Sequence, residues 1–401
     1  MSTKVLVTGL GVISSIGKNV QDTLKSIREL KSGVGQIDLL ITRHRGDLPV
    51  GEIKQTDEEL KETAGVSSLK ALTRPTVLGM LAAREAVEDA GLIGDTEGTG
   101  FISANTVGGM GHTEQYCLDY INKEKEGDFL EYLGTHNCGD STERIADYLN
   151  IKDYVTTINT ACSSSANAIM LGARLIKNGI VKRVVAGGTD SLTRFTLNGF
   201  NTLMILAKEQ CRPFDENRMG LNLGEGAGFI VLEAEEAANE RGARVYSELK
   251  GYANTCDAYH QTASSPEGYG AASAMKKAIE HAGLKVEDID YVNLHGTATQ
   301  MNDLSEGNAI QNVFGDKVPD VSSTKGFTGH TLGAAGGIEA VFSNLSISEN
   351  ILFPNLNFTD QMNELNFSPL KVIKENAEVI NVLSNSFGFG GNNTALLFSK
   401  V

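Results

Sequence analysis

Apolar, β-branched runs alternate with segments of helical period along the chain. Residues 4–8 form an apolar run ending at Gly9, which predicts a strand and a turn. Over 74–92, Val77, Leu78, Leu81, Ala82 and Ala86 recur at helical spacing and Gly91 supplies a stop. A strand over 100–104 then enters the glycine loop Val107-Gly108-Gly109-Met110-Gly111. Residues 112–150 are more polar and helical, with no alternation that predicts a strand, and read as an insertion. Further strands are predicted over 154–158, 182–189, 226–234, 291–294, 379–384 and 394–398, with an Ala-rich helix running from the 160s to Lys177 and stopping at Gly179. Alternating strands and helices of these lengths imply an α/β architecture.

One helix occurs twice. Ala82-Ala83-Arg84-Glu85-Ala86-Val87-Glu88-Asp89-Ala90-Gly91-Leu92 returns as Ala274-Met275-Lys276-Lys277-Ala278-Ile279-Glu280-His281-Ala282-Gly283-Leu284, an offset of 192 residues. Both copies end in Ala-Gly-Leu and lead into a short strand. An offset near half the length argues for two similar α/β halves rather than a solenoid of short repeats. We place them at residues 1–240 and 241–401.

Composition narrows the partners. A hydrophobic content of 41% with 44 Gly and 7 Pro describes a globular chain. The net charge of −15, without a long run of like charges, argues against nucleic acid and anionic membrane. Five cysteines, at 117, 138, 162, 211 and 256, match neither a disulfide framework nor a zinc spacing, and with no hydrophobic leader the expected location is the cytoplasm. The glycines at 9, 11 and 17 miss the G-x-G-x-x-G spacing because position 14 is Ser, which weighs against a nicotinamide site.

Candidate chemistry centres on Asn159-Thr160-Ala161-Cys162-Ser163-Ser164-Ser165, where a strand hands over to a helix. Helix N-termini favour anions, so a thiolate at Cys162 is expected to be stabilised there. The second half has a similar turn, Ser323-Thr324-Lys325-Gly326-Phe327-Thr328-Gly329-His330, before another small-residue helix. A second histidine, His295, follows the strand ending at Leu294. Matched strand ends of a duplicated fold would bring Cys162, His295 and His330 into one pocket.

Together, Thr160-Ala161-Cys162-Ser163-Ser164-Ser165, His295-Gly296-Thr297-Ala298-Thr299, Lys325 to His330 and Gly388-Phe389-Gly390-Gly391-Asn392-Asn393 resemble the β-ketoacyl-acyl-carrier-protein synthases of the elongating, Cys-His-His type. The resemblance runs in order from Val5 to Phe398 and includes Cys211 to Asp215 and Asp257 to His260. It implies the thiolase fold, with two pseudo-duplicated α/β halves in a five-layer α-β-α-β-α arrangement. It implies decarboxylative Claisen condensation, in fatty acid, polyene or polyketide elongation, with no bound cofactor because phosphopantetheine arrives on the acyl carrier protein.

By that resemblance Cys162 carries the acyl group, and the N–H groups of Cys162 and Phe389 form the oxyanion hole. His295 and His330 donate to the malonyl thioester oxygen, and Lys325 holds position near His330. Glu339, Asp303 and Glu306 support them, Thr297 and Thr299 bind the pantetheine arm, and Phe387 and Phe389 gate the pocket. Val107 lies at the acyl-pocket mouth, where the family often has Ile. Asn392, Ala298 and Glu225 are further departures, from Thr, Ser and Asp. Lys70 and Arg74 are expected to dock the carrier protein. A homodimer is expected, with a heterodimer as the other form. A thiolase would call for a second cysteine near 385–393, which is absent; a chain-length-determining partner subunit would typically lack the nucleophilic Cys.

Overall fold

The computed structural model describes residues 3–401. Ten strands form its main sheet: β1 (Val5–Ser14), β2 (Thr99–Ala104), β3 (Tyr154–Ile158), β4 (Arg183–Asp190), β5 (Gly226–Ala234), β6 (Ser247–Cys256), β7 (Tyr291–Asn293), β8 (Asp320–Ser322), β9 (Asn381–Gly388) and β10 (Asn392–Ser399). Seven helices matter here: α1 (Arg74–Asp89), α2 (Met110–Tyr120), α3 (Cys138–Tyr148), α4 (Ser164–Lys177), α5 (Tyr269–His281), α6 (Gln300–Phe314) and α7 (Ala335–Glu349).

The strand order is β8-β7-β9-β10-β6-β1-β5-β4-β2-β3. On either side of the β6–β1 junction the order and the strand directions repeat. The two outer pairs are parallel and the next two antiparallel, in both halves. The junction itself holds through only Leu6↔Glu248 and Val7↔Ser247, so the sheet is two five-stranded units that meet at one edge. Helices α4 and α7 pack against strands of both units and form the middle layer; α1 with α3, and α5 with α6, cover the two outer faces. This is the five-layer arrangement implied above. With both faces covered, β1 is buried along its whole length, which is why its sequence is apolar with small residues and not alternating.

The duplicated helix has a physical reason for its alanines. A Cβ on Gly9 of β1 would lie 2.8 Å from Ala90 Cβ and would strike the Ala86 carbonyl. A Cβ on Gly251 of β6 would lie 2.9 Å from Ala282 Cβ and would strike the Ala278 carbonyl. Each half thus seats its Ala-x-x-x-Ala helix face directly on a glycine of its first strand.

Two local expectations change. The 385–393 loop is mostly strand: Asn385 to Gly388 continue β9, Asn392 opens β10, and Phe389-Gly390-Gly391 form the turn between them. Gly390 and Gly391 take φ of +84° and +77°, which only glycine adopts readily. Strand β6 was not anticipated, because Ser-Glu-Leu-Lys-Gly-Tyr-Ala-Asn-Thr-Cys is polar and weakly patterned. Pairing with both β1 and β10 supplies what its composition does not.

Candidate active site

Cys162 lies between β3 and α4, two residues before the first helical residue, and is buried. Ala161 has φ +54°, and Ser164 N donates to Ala161 O at 3.1 Å, so the chain makes a sharp elbow at the thiol. A small residue at 161 tolerates that left-handed backbone better than a β-branched one. Contrary to the expectation of a stabilised thiolate, burial pushes the Cys162 thiol up to about 11; the charge of Lys325 and the N–H of Phe389 oppose this but do not overcome it. Desolvation here outweighs the helix end.

His295 sits in the turn after β7. Its N–H donates to Glu306 Oε1 at 2.9 Å and the N–H of Gly296 donates to Glu306 Oε2 at 2.8 Å. Gly296 is required, since a Cβ would lie 2.6 Å from Ser323 Cβ. Asp303, also on α6, accepts from Phe214 N at 2.7 Å and Ala298 N at 3.1 Å. Glu306 and Asp303, one turn apart on α6, therefore hold the backbone on both sides of residues 295–298. Burial raises both carboxyls, Glu306 to about 7.

His330 is fixed through its main chain: its N–H donates to Asn222 O at 2.7 Å, and its carbonyl accepts from Gly224 N at 2.9 Å. Its ring meets that of His295 edge-to-face, with centroids 5.3 Å apart. Leu332 N donates to His330 Nδ1 at 3.3 Å, so the neutral ring carries its proton on Nε2. Lys325 Nζ approaches His295 Nδ1 at 3.5 Å, the outer limit of a hydrogen bond, and favours the same tautomer there. Burial holds both imidazoles well below their usual range, helped by the Lys325 charge. Lys325 is itself ion-paired with Glu339 of α7, both out of contact with solvent.

One cavity of about 490 Å³ is lined by Cys162, His295, His330, Thr297, Thr299, Phe387 and Phe389, with Phe200, Met204, Met219 and Met301 toward its mouth. The residues expected together are thus together. The Thr297 and Thr299 hydroxyls lie 3.0 Å apart, and Thr299 caps α6. Phe389 stacks on Phe200 with centroids 5.7 Å apart.

Other expectations fall elsewhere. Val107 is half-buried and does not line this cavity. Arg74, expected at a docking surface, is instead largely buried: its guanidinium pairs with both oxygens of Glu225 at 2.9 and 2.7 Å and with Asp57 at 2.8 Å. That pairing ties the 53–57 segment to the start of β5, so Arg74 serves as a structural cation. Lys70 is exposed and pairs with Glu131 at 2.8 Å.

Asp190, at the end of β4, had no assigned part. It is fully buried and accepts from Thr106 Oγ1 and Gly333 N, each at 2.7 Å, linking the first half to the turn after His330. Its signal was the acidic residue closing Gly187-Gly188-Thr189-Asp190 at a strand end.

Comparison with known proteins matches the descriptions "Beta-ketoacyl synthase, N-terminal domain" over residues 2–238 and "Beta-ketoacyl synthase, C-terminal domain" over residues 246–359. The chain is 34% identical over 408 residues to the 3-oxoacyl-[acyl-carrier-protein] synthase 2 of Staphylococcus aureus (strain N315), covering 99% of this chain and 98% of that protein. The solved structure of the ishigamide ketosynthase/chain length factor is similar with a TM-score of 0.91 and 31% identity over 100% of both chains. A type II PKS ketosynthase bound to the hexaketide, in complex with its acyl-carrier protein, gives a TM-score of 0.88 and 25% identity, again over 100% of both.

Proposed function

The chain belongs to the β-ketoacyl synthase family and is a condensing acyltransferase, and we propose that it works through Cys162, His295 and His330 in the cavity they share. The observation that carries this reading is the convergence of Cys162, His295 and His330 on one cavity. Burial favours the neutral form of both rings, and the partners at Nδ1 leave the proton of each on Nε2, so the two rings supply the donor pair an enolate oxygen needs.

In the first step the Cys162 sulfur attacks the acyl thioester of a carrier protein. The C–S bond to pantetheine breaks, and the thiol proton of Cys162 ends on the departing pantetheine sulfur. The N–H groups of Cys162 and Phe389 stabilise the tetrahedral oxyanion; one such donor is typically worth about 3 kcal/mol. In the second step malonyl thioester loses CO₂, and the enolate oxygen is held by His295 and His330. The enolate carbon attacks acyl-Cys162, the C–S bond to Cys162 breaks, and the sulfur takes one proton from solvent. Lys325 and Glu339 hold His295 in place, Glu306 and Asp303 hold its turn, and Thr297 with Thr299 bind the pantetheine arm. No resident cofactor enters either step.

The acyl substrate reaches Cys162 on an acyl carrier protein, as supported by the similarity to the carrier-bound ketosynthase. A second synthase-like chain is supported by the open edge of the sheet. Strand β3, at one edge of the sheet, is Tyr-Val-Thr-Thr-Ile with no proline or lysine, and it exposes Val155. We assign that surface to dimerisation, with a second copy as occupant; the ketosynthase/chain length factor relative supports a related subunit as the alternative.

Release of labelled CO₂ from malonyl-carrier protein, measured with and without an acyl-carrier protein, tests the function. Acyl-dependent release that disappears in Cys162→Ala is expected. Acyl-dependent release that persists in Cys162→Ala overturns it, and absence of any release from the unsubstituted protein overturns it in favour of the non-catalytic partner subunit.

A further inference from the structure

The turn that presents Phe389 is anchored at its tip away from the thiol, where Gly390 N donates to Gln261 O and Asp257 N donates to Gly391 O, each at 2.8 Å. Phe389 is half-exposed, and a Cβ placed on Gly390 would meet nothing within 4 Å. What couples the turn to the thiol lies on its two flanks, and both flanks rest on the Cys162 elbow. On one side Gly388 packs so closely that a Cβ would lie 2.8 Å from Thr160 O and 3.2 Å from Cys162 N. On the other side is Asn392.

The Asn392 side-chain oxygen accepts from three elements at once: Ser163 Oγ at 2.7 Å, Asn167 Nδ2 at 2.9 Å and Asn254 Nδ2 at 2.7 Å. Ser163 directly follows Cys162. Asn167, on α4, also donates to Thr160 Oγ1 at 2.8 Å, and its own oxygen accepts from Thr394 Oγ1 at 2.9 Å. The residues on either side of the thiol are therefore stitched to the strand that begins two residues after Gly390.

We propose that Asn392 is a positioning residue that sets the distance between the N–H of Phe389 and the N–H of Cys162, and so the width of the oxyanion hole. The inference rests on the condensing function proposed above. The hole acts when an acyl group is transferred to the thiol, whereas loss of CO₂ depends on His295 and His330, which Asn392 does not touch. A donor displaced by a fraction of an ångström loses most of its effect, because stabilisation of a developing oxyanion depends on preorganised geometry.

The test separates the two steps in the full-length protein. Asn392→Leu keeps the volume and removes the acceptor; Asn392→Asp keeps an accepting oxygen. Transfer of the acyl group from acyl-carrier protein to Cys162 is followed by mass spectrometry in a single turnover. It is expected to slow roughly 100-fold in Asn392→Leu and to stay within about threefold in Asn392→Asp. After Cys162 has been acylated to completion, CO₂ release from added malonyl-carrier protein is expected to stay within about threefold of the unsubstituted rate in both variants. Equal loss of both steps in Asn392→Leu, or unchanged acyl transfer, overturns the inference. Failure of the underlying function would show in the unsubstituted protein, which would then neither acylate nor release CO₂.

Discussion

The N–H of Leu332 donates to Nδ1 of His330 at 3.3 Å, so a main-chain group two residues along the chain decides which ring nitrogen carries the proton. The Nε2–H is left free, and burial keeps the ring neutral so that it remains a donor with an acceptor on its other side.

That arrangement predicts the acid side of the pH profile. His295 and His330 are held well below the ordinary imidazole value of 6.5, so CO₂ release from pre-acylated enzyme should lose no rate as pH falls through 6.5. The sign for stability follows: below 6.5 the unfolded chain binds protons that the folded rings refuse, so the two histidines destabilise the fold as pH falls toward their depressed values. A rate that halves near 6.5, with a midpoint that Glu306→Gln does not move, would contradict this.

Glu339→Gln should destabilise the protein strongly. It leaves the Lys325 ammonium buried without its countercharge, and breaking a buried pair typically costs about 3–5 kcal/mol. Replacing both partners, as Lys325→Met with Glu339→Leu, should recover much of that stability in a denaturant titration while abolishing condensation.

The Cys162 thiol, raised to about 11 by burial, should alkylate slowly at neutral pH. Its iodoacetamide rate should keep rising beyond pH 9, followed by mass spectrometry of the peptide, since the reactive fraction is the thiolate. A plateau below pH 8 would show that the helix end outweighs burial.

Arg74→Ala should behave as a core lesion. It leaves Glu225 buried without its cation, for a loss of about 3 kcal/mol or more, and the carrier-protein KM of the folded enzyme should not change. Lys70→Ala, at an exposed pair, should leave the midpoint of a denaturant titration nearly unchanged.

Gly9→Ala and Gly251→Ala should each cost about 1–3 kcal/mol, since both force the same helix off the same kind of strand. Similar losses at the two positions, read by thermal unfolding with ΔG converted at a common temperature, would reflect the duplication; a large loss at one alone would not.

Much of this protein was legible along the chain. The Ala-Gly-Leu helix recurs because each half needs a small-residue face against a strand glycine, so the duplication left a pattern in the residues themselves. Cys162, His295, Lys325 and His330 stand in short turns at strand ends, and their types and order were enough to assemble a site. What the chain could not carry was anything set by neighbours distant in sequence. Strand β6 has little strand pattern of its own and exists through pairing on both edges. Arg74 reads as a surface cation until Glu225, 151 residues away, is seen to hold it. Cys162 reads as an activated thiol until its burial is known, because a helix end is local and desolvation is not. Ring tautomers, the Lys325–Glu339 pair and the three donors converging on Asn392 are likewise tertiary facts, since hydrogen bonds and desolvation act through space, over a few ångströms, between residues that the sequence keeps far apart.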